Sequence, residues 1–467
     1  MVSNPIQQAV VLATSAAMLA GRHRSVGLAK TGGISQLRRT LLTLQRRGVR
    51  RFVVVTGAAD EALRQHVADD AQLAALDIVW VRNAERPADQ GYSLLQASPH
   101  LRGAFYVTSV DRVFAPQVLD ALLQEPLDGA TLAVSSEHHP EGAISIALGT
   151  RGQVLGFGRG DHSFTGIASA DRRLVDVLVQ MREAGAGTDL LDAFTRLDAR
   201  GQLRVADIGD AYFLPIANDK QRKQAQNMLL AALRKSVDGL ISRHINRRFS
   251  LAMTRILMHT RVRPNHVTAF ALLVSIAGAV TASFATAGNA WWLLVGAVFW
   301  QLASMLDGID GELARLKFAE SKIGEWFDTL TDDIGKFVFF VGSGVGAAAV
   351  SGQSLWLQLC LISVAIQAAL SINLYRKLLK TGSGSHYALA WEVDDSPKQS
   401  WPARLYRRIE FMSRRDYYVF AWMALVAFGF FKFAIVITFL TTATVLVHEV
   451  IKPRQARENF PVRPPAS

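Results

Sequence analysis

Residues 307–332 read DGIDGELARLKFAESKIGEWFDTLTD, and they stand between WWLLVGAVFW (291–300) and IGKFVFFVGSGVGAAAV (334–350), two runs apolar enough for the interior of a membrane. Asp307, Asp310, Gly311 and Ala314 are spaced i, i+3, i+4 and i+7, which places them on one face of a helix. Gly324, Asp328 and Asp332 follow at i, i+4 and i+8, again one face. Two helices joined by a short basic turn would therefore bring four carboxylates to one point. Ionisable groups at membrane depth are costly and mark function. Four clustered carboxylates repel one another, a repulsion that a pair of divalent cations relieves. All-oxygen ligands suit Mg²⁺ or Mn²⁺ rather than zinc. Gly311, Ala314 and Gly324 would let a bulky ligand approach the backbone, and Arg315 supplies a phosphate donor beside them. The competing reading has solvated helix ends whose acids pair with Lys317, Lys322 and Lys336.

Outward from this stretch, apolar runs near 267–286, 290–306, 334–351, 354–374, 417–432 and 433–450 predict six crossings of about 20 residues each. The loops on one side, ATAGNA and SGQS, are uncharged, whereas residues 376–416 hold nine Lys and Arg and residues 243–263 add six Arg. The positive-inside rule puts those basic segments, the aspartate stretch and both termini in the cytoplasm. The net charge of +12 thus reads as membrane anchoring in a cell inner (cytoplasmic) membrane, and no nucleic-acid partner is expected. The single cysteine, Cys360, excludes an intrachain disulfide. No charged-then-apolar leader opens the sequence, so no cleaved signal is expected. Before the first crossing, apolar and basic residues interleave at helical spacing, which predicts an interfacial helix. The expected organisation is a cytoplasmic α/β domain (1–232), an interfacial linker helix (233–264), an all-α six-helix membrane domain (265–452) and a cytoplasmic tail (453–467).

The ordered string Asp307, Asp310, Gly311, Ala314, Arg315, Gly324, Asp328, Asp332 resembles the D-x2-D-G-x2-A-R-x8-G-x3-D-x3-D signature of the CDP-alcohol phosphotransferase family, with every fixed position matched. The resemblance implies a six-span transferase that moves a phospho-alcohol from a CDP-alcohol to an acceptor hydroxyl and releases CMP. It implies two bound Mg²⁺ or Mn²⁺ ions held by Asp307, Asp310, Asp328 and Asp332. Asp332 would also serve as general base, and Asp307, Gly311, Ala314, Arg315 and Gly324 would contact CDP. A homodimer through the membrane domain is also implied. RPNHVTAF resembles the Pro-Asn-x-x-Thr opening of the family's first span, giving Asn265 a supporting role. Asp333 has no counterpart in the signature and reads as a helix-surface acid. Arg376, Lys377 and Lys380 face the aspartate side and are candidates for an acceptor phosphate, with a plain positive-inside anchor as the alternative. The acceptor is a lipid or a polyol phosphate.

In the first 230 residues, AVVLATS, the helical stretch before RFVVVTG, DIVWVRNAERPADQGYSLLQA and AFYVTSVDRVFAPQ resemble the sugar-phosphate nucleotidylyltransferases, which implies a Rossmann-like α/β fold. The full-length order resembles the bifunctional family that joins an inositol-phosphate cytidylyltransferase to a di-myo-inositol-phosphate phosphate synthase. The chemical parts depart from that pattern. LATSAAMLAGRHR stands where a Gly-rich loop would cradle phosphates. Of the proline-lysine step only Lys30 remains, and of the metal motif only Asp111. FLPIAND places Pro215 and Ala217 where two acids belong, with Asp219 out of register. Loss of a metal ligand predicts a catalytically degenerate nucleotidyltransferase-like domain. The alternatives are a domain that still makes the CDP-alcohol, and a chain that is a non-catalytic membrane scaffold.

Overall fold

A computed structural model describes residues 6–19, 22–57, 59–150, 152–234, 241–381 and 415–451. The chain separates into two compact units, Met1–Ala231 and Ala232–Ser467. The expected tail at 453–467 and most of the basic stretch 376–416 lie outside the described residues.

The first unit is built on a nine-stranded mixed sheet. Its strands are β1 (Gln8–Ala13), β2 (Arg51–Thr56), β3 (Asp77–Arg82), β4 (Phe105–Ser109), β5 (Ala130–Ser135), β6 (Ile144–Leu148), β7 (Val154–Phe157), β8 (His162–Ala170) and β9 (Leu203–Asp207). The order is β7-β6-β8-β4-β1-β2-β3, with β5 pairing both β8 and β9. β1 lies parallel between β2 and β4, so Val10 has Val53 on one side and Val107 on the other. All six residues of β1 are buried, as expected of a parallel strand covered on both faces. The helix Gln36–Arg46 links β1 to β2, and its first turn is capped by Ser35 Oγ, which accepts from the Arg38 N–H at 3.2 Å. Asp89 caps the helix Gln90–Ala97 in the same way, accepting from the Tyr92 N–H at 2.8 Å.

The segment expected to stand in for a phosphate loop folds differently. Ala16–Leu19 and Arg22–Ser25 form an antiparallel hairpin. Backbone N–H groups held in a ladder are not aimed together at an anion.

In the second unit the helices are α1 (Arg247–Leu257), α2 (Pro264–Ser283), α3 (Trp291–Lys317), α4 (Lys322–Ser351), α5 (Leu355–Thr381), α6 (Arg415–Ala427) and α7 (Phe431–Ile451). Among the described residues, α2, α3, α4 and α5 are long and apolar enough to cross a membrane. α6 has 13 residues, about 20 Å at 1.5 Å per residue, and α7 is apolar over Phe431–Val447. The turn between them falls at Phe428–Phe430, earlier than the sequence suggested. Gly429 takes a left-handed φ of 81° there, and the Phe430 N–H closes the helix end onto the Leu425 carbonyl at 2.7 Å. α2 starts at Pro264 itself, whose fixed φ suits the first helical position.

Helices α2, α3 and α4 approach closely through small residues. A Cβ added to Gly296 would sit 2.7 Å from the Ala282 Cβ, and one added to Gly342 would sit 2.7 Å from the Ala279 carbonyl carbon. Gly342→Ala is therefore expected to cost about 1–3 kcal/mol through overpacking, read as a lowered thermal midpoint of the full-length protein in detergent. Behind this crossing, Trp300 stacks on Phe339 with ring centroids 4.2 Å apart, and Trp422 meets Phe339 edge-on at 5.1 Å. These contacts fasten α6 to α3 and α4 and fix where its first residue lies.

Candidate active site on α3 and α4

α3 is one helix of 27 residues, so the apolar span and the first half of the aspartate stretch form a single rod about 40 Å long. It ends at Phe318, which holds a left-handed φ of 55° with its side chain buried. A bulky residue rarely takes that conformation. Here the Ala319 N–H bonds back to the Ala314 carbonyl at 2.9 Å and closes the helix. Three residues on, Ser321 Oγ accepts from the Gly324 N–H at 3.0 Å and starts α4. The turn Phe318–Ser321 contains no basic residue, contrary to the expected basic turn. The lysines flank it, and Lys317 donates to the carbonyls of Thr260 and Val262 at 3.0 and 3.3 Å.

This tight turn brings Asp307, Asp310 and Asp328 together, with one carboxylate oxygen of each within 4.8 Å of the others. Asp310 is buried, and Thr268 Oγ1 of α2 donates to its Oδ2. Thr268 closes the Pro264-Asn265-x-x-Thr268 opening of that span, so α2 orients one of the three carboxylates. A Cβ on Gly324 would fall 3.3 Å from Asn265 Oδ1, and one on Gly311 would fall 3.4 Å from Arg315 Nη1. Asn265 and Arg315 thus flank the two glycines singled out in the sequence.

Asp332 adjoins the trio at Asp307. Arg415, the first residue of α6, forms an ion pair with Asp332 Oδ2, and the same Nη1 lies 3.1 Å from Asp307 Oδ2. Sequence reading missed Arg415; its one signal was a basic residue at the mouth of an apolar run, indistinguishable there from an anchor. Asp333 corrects an expectation outright. It is buried instead of lying on a helix surface, accepting from Lys336 Nζ at 2.8 Å and from Tyr375 Oη at 2.6 Å. Its position facing α5 makes that pairing possible. Of the lysines proposed to neutralise the acids, Lys336 does pair with one, and its partner is Asp333.

A third buried acid, Glu312, was not singled out in the sequence because it occupies a variable position of the signature. It accepts from Arg247 Nη1 at 2.7 Å, Ser250 Oγ at 2.6 Å and Thr254 Oγ1 at 2.6 Å, all on one face of α1. The clasp ties α1 to the helix that carries Asp307 and Asp310. On α5, Arg376 and Lys380 are exposed, whereas Lys377 is paired with Glu449 of α7, which also accepts from Asn373 Nδ2 at 3.1 Å.

In the first unit, strand Phe213–Pro215 pairs with Arg112–Phe114, and the Ile216 N–H reaches the Asp111 carbonyl at 2.8 Å. Asp111 therefore does face the segment where its partner acids would be, but the segment offers Pro215, Ile216 and Ala217. Asp219 is engaged by Arg222 at 2.8 and 3.0 Å. Lys30 is exposed, and its carbonyl accepts from Arg222 Nη1 at 3.3 Å. Arg39 beneath it is buried and donates to the Thr31 carbonyl at 2.8 Å, and burial pulls its pKa down to about 10.

Residues 261–393 match the family described as CDP-alcohol phosphatidyltransferase. A curated relative from Rubrobacter xylanophilus, named bifunctional IPC transferase and DIPP synthase, is 30% identical over 331 residues, covering 68% of this chain and 72% of the relative. A relative of the same name from Thermococcus kodakarensis is 27% identical over 333 residues, covering 70% and 73%. The solved structure of the inositol-1-phosphate CTP transferase from T. maritima is 19% identical, with a TM-score of 0.43, and covers 48% of this chain and 96% of that one. On the Rubrobacter relative and the family match, the chain belongs to the family of bifunctional IPC transferases and DIPP synthases, with a CDP-alcohol phosphatidyltransferase segment in its second half.

Proposed function

We propose that the second unit transfers a phospho-alcohol from a CDP-alcohol to an acceptor hydroxyl with release of CMP, and that the aspartates of α3 and α4 carry the reaction. The observation behind this reading is the convergence of Asp307, Asp310 and Asp328 within 4.8 Å. Opposite vertices of a Mg²⁺ octahedron lie about 4.2 Å apart, so a donor set of hard oxygens at this separation fits Mg²⁺ or Mn²⁺. Asp307, Asp310, Asp328 and Asp332 would hold two such ions, which when bound offset the charge of the pyrophosphate and improve CMP as a leaving group.

The chain's own residues supply the rest. Gly311, Ala314 and Gly324 leave room for CDP against the helix backbones. Arg315 binds phosphate, and Asn265 and Thr268 steady the neighbouring backbone and the Asp310 carboxylate. Asp332 takes the proton of the acceptor hydroxyl as it attacks phosphorus. Arg376 and Lys380 would take an acceptor phosphate, and Lys377 would join them on leaving Glu449. Six crossings, with α6 and α7 completing the bundle, would put both termini and the reaction centre on the cytoplasmic face of the inner membrane. α1 would lie in the interface, with exposed Arg248 and Arg255 toward lipid headgroups. A homodimer through the membrane unit completes the proposal.

The substrates favoured are a soluble CDP-polyol such as CDP-inositol and an inositol phosphate, as the names of the relatives suggest. The product would then be an inositol phosphodiester. A lipid substrate on either side of the reaction is the second reading. The hairpin at 16–25 and the missing acids near Asp111 favour it, because a first unit unable to make CDP-inositol removes the reason for a dedicated soluble donor. Mass spectrometry of products formed by the purified full-length protein separates the two. With Mg²⁺, CDP-inositol, CDP-diacylglycerol, inositol phosphate and diacylglycerol supplied in combination, a phosphodiester of two inositols is expected. A glycerophospholipid as the sole product would establish the second reading.

A further inference from the structure

We propose that Arg415 is a built-in counter-cation of the reaction centre, competing with divalent ions for the oxygens of Asp307 and Asp332. One guanidinium nitrogen bridges a carboxylate on α3 and a carboxylate on α4, the same two helices whose acids are proposed to hold the ions. The arginine is not a loose surface group. Its neighbour Asp416 accepts from the Ser242 N–H at 2.8 Å, and α6 is packed through Trp422 against Phe339, so the backbone that carries it is fixed. The carboxylates of Asp307 and Asp332 have about a quarter to a third of their surface exposed, which leaves an approach for an ion.

A guanidinium seated on Asp307 Oδ2 and Asp332 Oδ2 competes with a divalent ion for those lone pairs and repels it by charge. Binding an ion there therefore works against the Arg415 bridge, and loss of that ion favours it. The bridge relieves carboxylate repulsion and keeps α3 and α4 in register between turnovers, but it lowers the affinity for the ion. Removing the positive charge should raise that affinity, because a unit charge a few ångströms from the ligating oxygens shifts binding by about tenfold or more.

This inference rests on the assignment of the aspartates to metal binding, and one titration separates the two claims. Full-length protein in detergent is titrated with Mn²⁺, and free Mn²⁺ is followed by its electron paramagnetic resonance signal. Arg415→Gln is expected to bind Mn²⁺ at least about tenfold more tightly than the parent, and to melt at a lower temperature in EDTA. Arg415→Lys, which keeps the charge on a shorter reach, should fall between them and serves if the Gln variant does not fold. Asp310→Asn should weaken binding in the same assay. If Arg415→Gln and Arg415→Lys bind Mn²⁺ no more tightly than the parent while Asp310→Asn still weakens binding, the counter-cation is refuted and the metal assignment stands. If Asp310→Asn leaves Mn²⁺ binding unchanged, both fall together.

Discussion

Asp310→Asn is expected to lower CMP-forming turnover by about a thousandfold or more without unfolding the membrane unit. The reason lies in its position. Asp310 is the buried member of the carboxylate trio, Thr268 already orients it, and an amide of the same shape can keep that hydrogen bond. What the amide lacks is the charge that binds a divalent ion. Asp332→Asn should lose about a hundredfold to ten-thousandfold, because an amide cannot accept the acceptor's proton, and it also gives up the ion pair with Arg415. Initial rates of CMP release, with size-exclusion profiles and melting curves as controls for folding, check both. A well-folded Asp310→Asn protein with a tenth of parental turnover would contradict the assignment, and so would a scaffold role that survives Asp332→Asn unchanged.

The second large effect concerns stability. Glu312→Ala removes the acceptor shared by Arg247, Ser250 and Thr254 and takes the Glu312 carboxylate from an arginine only 12% exposed. Breaking a buried pair from one side costs about 3–5 kcal/mol, whereas replacing both partners with packed apolar residues is often close to neutral. Glu312→Ala should therefore melt well below the parent in detergent and expose residues 241–260 to protease. Glu312→Gln, which keeps an acceptor for the hydroxyls, should lose less. The double variant Glu312→Leu with Arg247→Leu should recover much of the difference. A Glu312→Ala protein with parental melting and protease resistance would show that the clasp contributes nothing to the anchoring of α1.

Much of this was legible in the sequence, and what was hidden has a physical pattern. The faces carrying Asp307, Asp310, Gly311 and Asp328 follow from helical spacing, because a four-residue turn between two helices leaves few ways to place them. The parallel core of the first unit was legible too, since QAVVLA and RFVVVT are apolar on both faces. Hidden were the groups whose partners lie far away along the chain. Arg415 is 83 residues from Asp332, and Glu312 meets an α1 residue 65 positions earlier. No local period marks either. Asp333 was misjudged because one helix was considered alone, while its burial comes from Tyr375 on α5. The pairing of Ala16–Leu19 with Arg22–Ser25 was hidden too, because strands of four residues are too short to carry a readable period.

The most direct test of one working centre in a chain built for two is a paired assay on the full-length protein with Mg²⁺. CMP is measured with a CDP-alcohol and its acceptor, and pyrophosphate with CTP and inositol phosphate. The expected result is CMP release that depends on Asp310 and no pyrophosphate above background. Robust pyrophosphate release, or CMP release that persists in Asp310→Asn, would contradict it.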